Sequence, residues 1–325
     1  MKRILIFLIL ALPFVGGAQT AAWTAKTIPG SYTKAYGCAN GGFQVAFMEV
    51  MHQFVKDERA SNKVGKRKFP LIIFLHGIGE RSGSATSARG NPATLADLFT
   101  TNLMSGLQYT TSSLYVYTFK NPDGSREYPI WWAPQCWGGH SFFYPTYIEA
   151  MLDYAEDEYS DIIDFDRVYL TGLSFGGGGT MIAAQYHPVS RRLTAIAPNV
   201  SGYYTYNTGT SCQFPDHLNF AEIKANKIPV FANHDQADAT TGGSGVTDNF
   251  VRRLLEVKHS SPIIYTAFNN SPMTDDHRIW NYMYSTGNWN TQFTLRNGTT
   301  HYFGGTNGKN FVDWFLQFSR PPRPE

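Results

Sequence analysis

A serine set among five glycines, in "LTGLSFGGGGTM" from Leu170 to Met181, is the stretch of this chain most suited to chemistry. Glycine inside a regular element costs roughly 1 kcal/mol relative to alanine, so a run of four needs a steric cause. Gly172-Leu173-Ser174-Phe175-Gly176 has the form G-x-S-x-G, between a strand-like run and the helix-like "GGTMIAAQYH". A serine on such a turn is a nucleophile elbow, with a strained backbone and neighbours two residues away nearly free of side chain. Gly177 to Gly179 then let the helix press against neighbouring strands while its positive amino end faces the site. A phosphate loop is excluded, because no Lys-Ser or Lys-Thr follows the glycines.

A serine hydroxyl is a weak nucleophile until a base takes its proton, and a third group must hold that base. The chain order expected for an elbow is serine, acid, histidine. Among the histidines after Ser174, His277 is best placed, on a loop just past the apolar run that ends near Asn269, with His301 in "NGTTHYFGG" as its rival. His187 and His259 fall at the ends of helix-like stretches, where a cation suits the carbonyl end of the dipole. For the acid, "IPVFA" opens into "NHDQADATT", which offers both Asp235 and Asp238. Asp238 leaves the chain room to curl back over the strand end, whereas Asp235 suits a turn-forming role.

Proton transfer does not complete such a site, since the tetrahedral intermediate carries an oxyanion that needs fixed donors. The backbone N–H of Phe175, directly after the nucleophile, is one. The other comes from the loop "LHGIGERSG", where Gly77 and Gly79 keep the backbone approachable and the N–H of Ile78 or Gly79 faces the site. His76 reads as a structural hydrogen-bonding group beneath that loop rather than a second base.

These residues need a scaffold, and the apolar runs supply one. "FPLIIFLHG", "YPIWWAPQ", "RVYLTGLS", "LTAIAPNVSG", "IPVFANHD" and "PIIYTAFN" read as short buried strands. "PTYIEAMLDYAEDEY" and "VTDNFVRRLLEVKH" carry apolar positions at helical spacing. Alternating strands and helices predict an α/β fold with a mostly parallel central sheet covered by helices on both faces. "FQVAFMEV" is expected as an antiparallel edge strand and "NFVDWFLQFS" as a closing helix. In such a sheet ligands sit outside the carboxyl ends of the strands, where the elbow, the HG loop and the Asp turn all fall.

Bulk properties narrow the class further. The 325 residues, 42% hydrophobic, suffice for one large core. A formal charge of +2 from 27 cations and 25 anions gives no basic stripe, so nucleic acid is not an expected partner. "KVGKRK" at Lys63 to Lys68 reads as a solvated loop. "MKRILIFLILALPFVGGAQT" has the layout of a secretory signal peptide cut after Ala18, its apolar run being shorter than a membrane span. The expectation is therefore a signal peptide over residues 1–18, one catalytic domain over residues 19–325, a secreted or periplasmic location and no stable membrane anchor. Cys38, Cys136 and Cys212 match no zinc or CxxC spacing. An oxidising compartment permits one disulfide, and Cys136 with Cys212, both after strand ends, is the expected pair.

Strand-HG-x-GER, "RVYLTGLSFGGGGT", an Asp in the turn after "IPVFA", and His-x-x-Trp in "DDHRIWNYMY" before a terminal "VDWFLQF" resemble the α/β-hydrolase superfamily. Within it they are similar to the secreted carboxylesterase, feruloyl-esterase and predicted-peptidase group, over about Phe69 to Phe318. The resemblance implies Ser174 as nucleophile, His277 as base and Asp238 as acid, with neither cofactor nor metal. "ANHDQADATTGG" departs from that group's more usual HG-x-x-D-x-x-VP turn. Aromatics after the strand ends, Trp131, Trp132, Trp137, Tyr203, Tyr204, Tyr206, Trp280 and Trp289, offer stacking faces for sugar rings or an aromatic acyl group, with Trp137, Tyr203 and Trp280 as substrate contacts. The expected activity is hydrolysis of carboxylic esters, on acylated polysaccharide or aromatic esters. A peptidase or polyester hydrolase would use the same triad, and a glycan-binding module of hydrolase shape would need it broken.

Overall fold

The computed structural model describes residues 23–35, 42, 44–78, 81, 119–120, 125–136, 143–199, 201–203, 219–232, 245–255, 315–316 and 318–320. A six-stranded mixed sheet organises them. Its strands are β1 (Trp23–Ile28), β2 (Val45–Val50), β3 (Phe69–Leu75), β6 (Ile130–Pro134), β7 (Ile163–Leu173) and β8 (Ala195–Asn199). The spatial order is β1-β2-β6-β3-β7-β8. A two-stranded ribbon, β4 (Phe119–Lys120) with β5 (Arg126–Glu127), stands apart from it.

β1 and β2, and then β2 and β6, pair antiparallel. From β6 onward β3, β7 and β8 all run parallel. Every residue of β2, β3, β6 and β8 is buried. Such continuous apolar strands are what a sheet covered on both faces demands. The edge role expected of "FQVAFMEV" is corrected here: β2 is interior, because Trp23–Ile28 pairs along its outer side in full register. That outer strand reads "WTAKTI", polar at Thr24, Lys26 and Thr27, with little apolar run to mark it. The run starting at Ile228 contributes a single parallel bridge, Val230 to Ile196.

Helices pack between and beside these strands. α1 (Gln53–Ala60) is capped by His52, whose Nδ1 accepts the Phe54 N–H at 3.1 Å. α2 (Pro145–Glu158) starts with proline in its first turn, where the missing N–H costs nothing, and buries nine residues including Tyr147, Ile148, Met151 and Leu152. α3 (Phe175–Ala183) is buried along its whole length and lies against β3, β7 and β8. α4 (His187–Ser190), α5 (Phe220–Ala225) and α6 (Gly245–Leu255) complete the series. Residues 61–68, holding the cationic "KVGKRK", have no regular structure and are mostly exposed. At the far end of the sequence Phe315 stacks on Tyr169 at 4.8 Å between ring centroids, and the Tyr169 hydroxyl donates to the Phe318 carbonyl.

The Cys136 thiol is buried, and Cys212, its expected partner, lies outside the described residues. Burial pushes that thiol far up from its ordinary range, which keeps it protonated and inert. No helix among the described residues is long and apolar enough to cross a membrane.

Candidate active site

β7 ends at Leu173 and α3 begins at Phe175, which leaves Ser174 alone to turn the chain. It does so with φ 56° and ψ −109°, one of only two non-glycine residues at positive φ among those described. Such a conformation costs of order 1–3 kcal/mol and persists only where the surroundings over-determine it. Here the Ser174 N–H donates to the Asn199 carbonyl at 2.9 Å, and the Ser174 carbonyl accepts from the Gly178 N–H at 3.0 Å. The Ser174 side chain makes no capping bond to the helix, so its hydroxyl is not spent on the turn.

Asn199, at the end of β8, is the clamp on this turn. Its buried Nδ2 donates to the Ala197 carbonyl at 2.8 Å, to Thr171 Oγ1 at 3.2 Å and, at 3.4 Å, to the Gly172 carbonyl. Side chain and carbonyl together therefore hold the strand side of the elbow. The rule that site residues follow each apolar run points at "APNVSG", and that was the available signal for Asn199.

The glycines answer to space. A Cβ on Gly176 would fall 1.9 Å from the Leu75 carbonyl oxygen and 2.6 Å from that of His76. One on Gly172 would come within 2.4 Å of the Gly176 oxygen. No side chain fits at either position. This close approach brings the end of β3 and the HG loop into backbone contact with the first turn of α3.

The geometry of that loop follows from His76, which is 1% exposed. Its Nε2 accepts the Cys136 N–H at 2.9 Å, so the proton sits on Nδ1, which donates to the Gly77 carbonyl at 2.6 Å. Burial lowers the His76 pKa to about 4, which keeps the ring neutral near pH 7. With the Gly77 carbonyl pinned to the imidazole, the trans peptide turns the Ile78 N–H to the opposite side. The Ile78 side chain is 55% exposed. Its carbonyl accepts from Arg81 Nε at 3.1 Å, and the Arg81 guanidinium lies 5.4 Å from the centroid of the Phe175 ring. Loop and elbow are thereby tied through a cation–π contact that motif reading did not reach.

Of the expected catalytic, oxyanion and substrate-contact residues, Ser174, Phe175, Ile78 and Tyr203 are described, and they gather at the carboxyl ends of β3, β7 and β8. Tyr203 donates from its hydroxyl to the Phe175 carbonyl at 2.7 Å. Trp131 and Trp132 are core residues of β6, and the Trp132 indole donates to Glu49 at 3.1 Å. His187 stands at the start of α4 with Nδ1 2.8 Å from Glu222. Gly79, Trp137, Asp235, Asp238, His277, Trp280 and His301 lie outside the described residues, as does the apolar run at 262–269.

No protein-family model matches the chain, and no curated protein matches its sequence. Solved structures do. A candidate dipeptidyl aminopeptidase IV from Bacteroides ovatus superposes with a TM-score of 0.50 at 11% identity, over 92% of this chain and 36% of its own. The acylaminoacyl peptidase of Pyrococcus horikoshii gives 0.49 at 9% identity, over 94% of this chain and 43% of its own. A candidate dienelactone hydrolase from Klebsiella pneumoniae gives 0.44 at 13% identity, over 91% and 99%. The chain thus spans little more than a third of the first of these proteins. With a mixed sheet turning parallel at β6, a strained serine between its fifth strand and a glycine-lined helix, and likeness to the Bacteroides structure, this protein has the α/β-hydrolase fold.

Proposed function

We propose that the protein is a secreted serine hydrolase that cleaves carboxylic esters through an acyl-enzyme intermediate, on acylated polysaccharide or aromatic esters. The observation that carries this reading is Ser174, held at positive φ with its hydroxyl uncommitted to the helix. In the proposed cycle Ser174 Oγ attacks the ester carbonyl carbon while His277 takes the hydroxyl proton and Asp238 holds the ring. The Phe175 and Ile78 amides, or Gly79, receive the oxyanion. Collapse of the intermediate expels the alcohol, which leaves with the proton from His277. Water activated by the same histidine then releases the acid. Trp137 and Trp280 are the proposed substrate contacts, the Tyr203 hydroxyl being spent on the Phe175 carbonyl, with neither metal nor cofactor taking part. The twelve apolar residues from Ile4 to Val15 support export by a cleaved leader.

The test is chemical labelling with a fluorophosphonate, together with hydrolysis of nitrophenyl esters, feruloylated oligosaccharides and peptides. Wild type labels; Ser174→Ala does not, and its ester turnover falls by about 10⁴-fold or more. His277→Ala removes the activity and His301→Ala spares it. Asp238→Asn lowers turnover by about 10⁴-fold through the wrong tautomer, whereas Asp235→Asn is mild. Labelling that persists in Ser174→Ala overturns the nucleophile. Glycan binding without turnover on any ester or peptide replaces the enzyme with a binding module.

A further inference from the structure

The first turn of α3 is braced from a segment that the proposed triad and oxyanion donors do not use. Tyr203 stands just beyond the end of β8, and its hydroxyl bridges two chain segments. It donates to the Phe175 carbonyl at 2.7 Å and accepts from the Phe143 N–H at 3.4 Å. A phenol has one proton to donate, and here it is committed to the residue after the nucleophile. The ring presses on the same turn one step further on. A Cβ on Gly178 would come within 2.6 Å of the Tyr203 Cζ, and Gly178 is the residue whose N–H closes the turn on the Ser174 carbonyl. Phe175 meets the Tyr203 ring edge-on at 5.8 Å, and Phe143 packs against Phe175 at 5.2 Å, so the brace is enclosed by aromatic rings.

We infer that Tyr203 is a positioning residue, whose hydroxyl fixes the first turn of α3 and with it the direction of the Ser174 hydroxyl and the Phe175 N–H. The inference rests on Ser174 being the nucleophile. It also assigns a cause to the third glycine after the serine, which the elbow pattern alone leaves unexplained: the tyrosine ring occupies the space of a side chain at position 178. Burial raises the Tyr203 pKa well above its ordinary value, so the hydroxyl remains a donor throughout the pH range in which an esterase works.

Tyr203→Phe keeps the ring and removes only the bridge. The rate of fluorophosphonate labelling at Ser174 and kcat on a nitrophenyl acetate should both fall about tenfold, with KM unchanged, since a small misplacement of reacting groups acts on the bound complex. Gly178→Ala pushes on the same ring with the hydroxyl retained and should give the same kcat-selective loss. Circular dichroism of each variant establishes that it is folded. A Tyr203→Phe variant that labels and turns over at the wild-type rate overturns the inference. A raised KM at unchanged kcat also overturns it, in favour of direct substrate contact. A wild type that does not label at all removes the nucleophile itself, an outcome distinct from both.

Discussion

The two ends of β7 are held by opposite means. At its start, where Pro70 pairs with Asp164 and Leu71 with Val168, the strand throws out Phe165, Asp166 and Arg167 as a bulge. Charged side chains secure it there. Arg167 meets Glu127 at 2.5 Å and Asp164 at 2.6 Å, while Arg67 reaches the other oxygen of Glu127 at 3.0 Å. At its far end, around Ser174, no charged side chain enters the described hydrogen bonds of the turn. Backbone amides, the Asn199 side chain and the absence of Cβ atoms hold it instead. Long charged side chains tolerate small displacements, whereas backbone pressed on backbone does not. The rigid end is the one where proposed reacting groups need placement within a fraction of an ångström.

The largest effect should come from a single methyl at the rigid end. Gly176→Ala sets a Cβ against the backbone of Leu75 and His76, atoms that cannot rotate away. Overpacking ordinarily costs about 1–3 kcal/mol, and with main chain on the receiving side a loss of about 4 kcal/mol is expected. Urea denaturation measures it. A loss below about 1 kcal/mol would mean that β3 and α3 can separate, and the contrast between the two ends would collapse.

This contrast also accounts for what could be read from the sequence. G-x-S-x-G and the long apolar runs are local signals, and they led directly to Ser174, β3, β6, β7, β8 and α2. β1 was missed because "WTAKTI" carries no apolar run and owes its place to pairing with β2. Asn199 and the Tyr203 brace depend on which strand neighbours which, and no periodicity within one segment carries that. The burial of Cys136 was illegible for the same reason: following a strand end does not say whether a side chain points inward, and that of Cys136 does. The His76 reading succeeded because its donor and acceptor needs are met within the loop it precedes and by the strand beside it.

His76 supplies the next effect in size, and a pH dependence with it. Its pKa is lowered from 6.5 to about 4 by burial. The folded protein therefore favours the neutral ring, and the unfolded chain takes up the proton first. The stabilisation is fully present above pH 6.5 and is lost as pH falls towards 4, by about 3 kcal/mol at most. Urea titrations at pH 7, 5.5 and 4.5 should show wild type losing this stability and His76→Gln, which cannot titrate, losing less. Parallel pH curves for the two proteins would remove His76 from the account of the oxyanion loop.

The smallest effect belongs to the charged end. Arg167→Met leaves Glu127, 2% exposed, with Arg67 as its remaining cation. Because a partner persists, the loss should be about 2 kcal/mol, less than the roughly 3–5 kcal/mol of a buried pair broken outright. The double variant Glu127→Gln/Arg167→Met removes the buried carboxylate as well and should return to within about 1 kcal/mol of wild type, since neutral replacements for a buried ion pair avoid its desolvation. Ser174 labelling should be the same in wild type, single and double variants, because nothing at the bulge touches the elbow. If instead Arg167→Met slows labelling while the protein stays folded, strain passes along β7 from one end to the other. The bulge would then be part of what sets the serine, and the two ends would act as one device.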